Sequence, residues 1–186
     1  MNRLNRFLAF AVLAILLSSC AVWTHLESSR LEGPDGLGVQ APAGWVRFNL
    51  AGDRVIAMTR DGLDIQTLRI EYRKHDKAFP EIKKVSGVDM LPAEAAELLL
   101  ADLKADKGLA NIQLLDNVPC RVAGKSGFRL HGQYRNERGA KFDLVASGRP
   151  TRDGLVVVFY RALSTHYYPR DIKVYEDLLA SLQVPD

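Results

Sequence analysis

The chain has 186 residues, of which 47% are hydrophobic and 25% charged, with a formal net charge of +3. That length suffices for one domain with a proper core. Two of its cations, Arg3 and Arg6, lie in the first nineteen residues, and without that segment the charge falls to +1. The basic overall composition is therefore no argument for a nucleic-acid partner or an acidic substrate.

In chain order, the first feature is a segment for targeting rather than folding. Arg3 and Arg6 precede an unbroken apolar run from Phe7 to Leu17, and Ser18 and Ser19 lead into Cys20. A positive start, a short apolar stretch and small residues make up a secretory signal peptide. A spanning helix needs about 20 apolar residues, and this run is much shorter. No polar face interrupts it, as one would in an amphipathic helix. Leu17-Ser18-Ser19-Cys20 resembles the bacterial lipobox. That resemblance implies a diacylglyceryl thioether on Cys20, cleavage before it, and a membrane anchor of two or three acyl chains. Each buried CH₂ adds about 0.8 kcal/mol, so two or three chains hold where one would not. Ala21 stands where an aspartate marks inner-membrane retention in many such proteins, so the resemblance favours the periplasmic face of an outer membrane. With Cys20 acylated, Cys120 has no partner in the chain, no disulfide framework is available, and burial is its expected state.

The expected division is a signal peptide over 1–19, a lipidated cysteine and polar tether over 20–36, and a single α+β domain over 37–186. Gly33, Pro34, Asp35 and Gly36 mark turns at the end of the tether. Strand pieces follow up to Pro42, from Trp45 to Phe48 and from Arg54 to Thr59. Asp61-Gly62 is a hairpin signal. From Leu63 to Tyr72, Leu68, Ile70 and Tyr72 alternate with Arg69, Glu71 and Arg73, the pattern of a strand with one apolar face. Residues 73–90 are polar, basic and without a period.

A helix is predicted over Pro92–Lys107. Pro92 suits the first turn, acidic residues stand early and lysines late, and Ala95, Leu98, Leu99, Asp102 and Leu103 trace one face, widened by Leu100. Gly108 is its expected stop. Four strands are predicted at 112–118, 127–134, 140–148 and 155–162, joined by loops short enough for an antiparallel meander. The continuous run Val156-Val157-Val158-Phe159 marks a central strand covered on both faces. A closing helix is expected over 170–182. The predicted architecture is a mainly antiparallel sheet with helices packed on it.

This order, with the turn Pro42-Ala43-Gly44-Trp45 and the closing Leu178-Leu179-Ala180-Ser181-Leu182, resembles the PsbP-like α/β/α sandwich over residues 37–184. The group includes the photosystem II extrinsic protein PsbP, a Ran-binding nuclear-import factor and envelope lipoproteins of the DcrB type. The resemblance implies an accessory or binding role and transfers no site residue, because the group has no common site motif.

No pattern for chemistry stands out. Gly124-Lys125-Ser126-Gly127 lacks the glycine at 128 that a nucleophile elbow needs. His25, His75, His131 and His166 are scattered without metal-ligand spacing. No catalytic, cofactor-binding or metal residue is assigned. Two segments are candidate contacts for a membrane surface or an envelope protein partner: the basic stretch with Arg73, Lys74, Lys77, Lys83 and Lys84, and the loop with His166, Tyr167 and Tyr168. A solvated charged loop and packing under the last helix are the plainer readings. Two other functions stay open, a hydrolase whose residues converge only in the fold and a small-ligand carrier with an apolar cavity between helix and sheet.

Overall fold

The alternation at Leu68, Ile70 and Tyr72 sets the frame of the molecule, because those side chains point to one side of a large sheet and their neighbours to the other. A computed structural model describes residues 22–109 and 111–185. Its strands are β1 (Trp23–Leu26), β2 (Arg30–Glu32), β3 (Gly38–Gln40), β4 (Trp45–Phe48), β5 (Val55–Thr59), β6 (Gln66–Lys74), β7 (Gln113–Val122), β8 (Lys125–Arg135), β9 (Lys141–Thr151) and β10 (Gly154–Leu163). Helix α1 (Pro92–Ala105) lies between β6 and β7, and α2 (Tyr167–Ser181) follows β10. Eight strands form one antiparallel sheet in the order β1-β4-β5-β6-β10-β9-β8-β7, and β2 pairs with β3 separately.

The central position of β10, between β6 and β9, explains its unbroken apolar run. Val156, Val158, Tyr160 and Ala162 join Leu68, Ile70, Tyr72, Tyr175 and Leu178 in a core beneath α2. Leu155, Val157 and Phe159 join Ala95, Leu99, Phe128 and Leu130 in a second core beneath α1. The sheet is the middle layer of an α/β/α sandwich. The pairing of β10 with β6 needs glycine at its start: a Cβ at Gly154 would stand 2.0 Å from the Arg73 carbonyl oxygen, closer than any side chain tolerates.

Several boundaries differ from expectation, each for a local reason. The tether expected up to residue 36 contributes β1, an edge strand of the main sheet, and β2; Leu26 is 5% exposed. Trp23-Thr24-His25-Leu26 is too short and too polar to reveal a strand until β4 supplies its hydrogen bonds. Helix α1 stops at Ala105, because the Asp106 side chain accepts the Gly108 amide at 2.8 Å and draws the backbone into a 3₁₀ turn over Lys107–Leu109. Helix α2 begins three residues early, at Tyr167, since Pro169 falls in the first turn, where its missing N–H is not needed. Its far end is closed by the C-terminal tail, where Gln183 and Gly38 exchange backbone hydrogen bonds at 2.8 and 3.0 Å.

Candidate functional site

Helix α1 packs over β8 and β9, touches β7, covers the inner part of β10, and leaves the same face of β4, β5 and β6 open. The result is a half-enclosed groove of about 830 Å³ between the helix and the sheet, within the size range of small-molecule sites. Phe48, Leu50 and Val55 line one end and Leu63 and Asp64 the other, with Ala57, Thr67 and Phe159 along the floor. The register explains the floor. Ala57 pairs with Arg69 and Arg69 with Phe159, so all three project from one sheet face, opposite Ile56 and Leu68.

A line of charges crosses this floor. Glu71, 7% exposed, accepts from the Arg69 Nη2 at 2.5 Å and from the Arg73 Nε at 2.8 Å. Arg73 Nη1 reaches the Ala78 carbonyl at 2.9 Å and Asp102 Oδ2 at 3.2 Å, and its guanidinium lies over the Phe159 ring at 5.6 Å. Asp102, 3% exposed on the buried face of α1, accepts the Glu81 and Ile82 amides at 2.7 and 3.3 Å through its other oxygen. Buried charges persist only when paired and hydrogen-bonded. This network meets that condition and fastens strand, helix and the intervening segment together. Arg161 completes the wall, donating to the Leu63 carbonyl at 2.5 Å from above the Phe142 ring.

The basic stretch therefore splits. Arg73 is not a free loop cation: it lies in β6, its side chain is 15% exposed, and two carboxylates hold it. The sequence concealed this because Asp102 is twenty-nine residues away. Lys77 is exposed and lines the groove, whereas Lys74, Lys83 and Lys84 are exposed and do not. Nor is the segment after β6 merely solvated. Ala78 and Phe79 are fully buried under α1, His75 bonds the Ser86 hydroxyl at 2.8 Å and the Arg152 carbonyl at 2.9 Å, and Phe79 and Lys84 pair across a turn.

The second candidate segment lies on the other side of the sheet. His166 is exposed against the edge of Tyr167, whose carbonyl accepts the Tyr160 hydroxyl at 2.9 Å. Tyr168 stacks against His131 and Tyr160, and burial pushes its hydroxyl pKa up. Both tyrosines are half-buried in the α2 core, because a helical first turn separates their directions where a loop would not. None of the three lines the groove.

His131 Nε2 donates to Asp143 Oδ1 at 2.7 Å, the start of a hydrolase relay. Among the described residues no serine or cysteine is bonded to that ring, and Tyr168 covers it. Cys120, half-buried at the α2 core, bonds Ser147, and burial raises its thiol pKa, opposite to the shift that activates a thiolate. Among the described residues no group of three His, Cys, Asp or Glu is placed to hold a metal. Cys20 lies outside the described residues.

With the geometry in place, three solved structures show the fold class. The chain is similar to cyanobacterial PsbP from Synechocystis sp. PCC 6803, with a TM-score of 0.57 and 15% identity over 91% of this chain and 99% of that one. The Ran-binding protein Mog1p of Saccharomyces cerevisiae matches at 0.54 and 13% identity, covering 87% of this chain and 97% of its own. A protein of unknown function from Pseudomonas aeruginosa matches at 0.52 and 14% identity, covering 88% and 99%. No family model matches the chain, and no curated protein matches it in sequence. The protein has the PsbP/Mog1-like fold, and identities this low speak for fold alone.

Proposed function

We propose that this chain is a cell-envelope lipoprotein, anchored through acylated Cys20 on the periplasmic face of the outer membrane, whose domain is a non-enzymatic accessory module that binds a protein partner in the groove beside α1. The observation that carries the reading is the groove itself, a partly apolar floor crossed by charges paired with one another. A catalytic site keeps an activated group for its substrate, whereas the groove's most buried carboxylates, Glu71 and Asp102, are held by arginines and amides. The groove is also half-open, and an enclosed pocket is what a carrier needs to bury most of a small ligand. An extended segment of a partner fits an open trough better. Support for the anchor comes from the order of Arg3, the apolar run and Cys20, and the fold is one that other accessory proteins use.

The test is site-specific photocrosslinking in intact envelopes, with a benzophenone amino acid at Leu63 or Lys77 in the groove and at Lys173, 73% exposed, on the outer side of α2. A discrete protein adduct from the groove positions only, lost when Ala57→Trp fills the floor, is the expected result. Identical products from all three positions, or none, overturn the proposal. A low-mass adduct in place of a protein would instead favour the carrier, a reading that the groove's volume of about 830 Å³ keeps open.

A further inference from the structure

We infer that the domain is seated on the bilayer by one end of its sheet, with Trp23 and Leu50 in the boundary between headgroups and acyl chains. The inference rests on the anchoring reading above and adds an orientation to it. Every pairing in the main sheet is antiparallel, so the start of β1 shares one end with the close of β4, the start of β5, the close of β6 and the β9–β10 turn. Trp23 is three residues from Cys20, and three residues span at most about 11 Å even when fully extended. The interfacial layer on each side of the hydrocarbon is itself roughly 5–8 Å thick. An acylated Cys20 thus lets β1 rise only about 3–6 Å clear of the interfacial layer.

The side chains at that end fit the position. Val22, Trp23 and Leu50 are 41%, 43% and 63% exposed, and Val85, Val88 and Leu91, in the stretch tied to this end through His75, Ser86 and Arg152, are 60%, 66% and 67% exposed. Trp23 rests against Phe48 at 4.9 Å, which holds the indole outward instead of letting it fold into the core. At the opposite end, the β5–β6, β8–β9 and β10–α2 connections carry none of the exposed large apolar residues; the remaining three lie on the edge strand β7, with Leu114 and Leu115 toward that opposite end. Tryptophan favours the membrane interface because one edge of the ring is polar and the rest is not. Charge contributes less. With Lys74, the connections at this end carry six cations (Arg54, Lys74, Lys77, Lys83, Lys84 and Arg152) against five anions (Asp53, Asp76, Glu81, Asp89 and Asp153), a near balance. Insertion of apolar side chains, not attraction to headgroups, would hold the contact. The groove, whose near end is lined by Phe48 and Leu50, then opens close to the membrane surface.

The test uses the full acylated protein in vesicles of phosphatidylethanolamine and phosphatidylglycerol with brominated acyl chains. The chain has two tryptophans, and Trp45, 1% exposed in the core, serves as the internal reference. Bromine should quench Trp23 emission roughly twofold or more at interfacial depth, and Trp23→Phe should abolish the quenching. Mass spectrometry of the same sample reads Cys20 separately. An acylated Cys20 with Trp23 unquenched and open to aqueous iodide overturns the seating while leaving the anchor standing. Quenching that survives Trp23→Phe belongs to Trp45 and also overturns it. An unmodified Cys20 overturns the anchor and the seating together.

Discussion

The two sides of β6 have opposite fates. On one side Leu68 and Ile70 are 0% and 1% exposed beneath α2; on the other, Arg69, Glu71 and Arg73 form the charged floor of a groove. Strand β10, beside it, is buried on both faces. The contrast shows that a sheet face left uncovered need not be a solvated surface. Here α1 covers the β7–β10 half of the sheet, and the charges beyond it are matched pairwise so that they survive near an apolar core.

That contrast can be broken from either side. The largest effect is expected on the closed side: Trp45→Ala, at a residue 1% exposed, should cost about 3–5 kcal/mol in urea unfolding. A loss below about 1 kcal/mol would show that the α2 core is loosely packed. On the groove side, Asp102→Ala removes one of the two carboxylates that hold Arg73, leaves the Glu81 and Ile82 amides without their acceptor, and should cost about 3 kcal/mol. It should also let trypsin cut at Lys77, Lys83 or Lys84 faster, which global destabilisation by Trp45→Ala at matched stability would not reproduce.

Alkali sharpens the comparison, because the closed side hides a phenol. Tyr175 is fully buried and donates to the Ser147 hydroxyl at 2.6 Å, and burial raises its pKa far above the ordinary 10.0. The unfolded chain loses that proton near pH 10 and the native one retains it. Stability is thus whole below about pH 10 and falls as pH rises, by on the order of 1 kcal/mol per pH unit for this ring. Thermal melts of Tyr175→Phe should show a shallower alkaline slope; an unchanged slope would refute the assignment. The smallest effect belongs to Arg69→Ala. Its side chain is 49% exposed, so breaking its pair with Glu71 should cost under about 1 kcal/mol. The same substitution should still weaken groove crosslinking, which separates binding from folding.

Periodicity made much of this fold legible. The alternation in β6, the double-sided run of β10 and the apolar stripe of α1 each state which way a side chain must face, because a strand repeats every two residues and a helix every 3.6. What short segments do was not legible. Residues 23–26 carry too few side chains to show a pattern, and only the backbone of β4 makes them a strand. Tyr167 and Tyr168 read as loop residues because Pro169 masks a helix start.

By itself the sequence determined the α+β class, the order of the longer elements from residue 37 onward and which strand lies at the centre, since those follow from local spacing. Only the tertiary structure decided that Arg73 is held by Glu71 and Asp102, that the segment after β6 is fastened down, and that α1 leaves half the sheet open. Each of these depends on contacts between residues far apart in the chain, and the charge of a side chain does not say which partner the fold will bring to it.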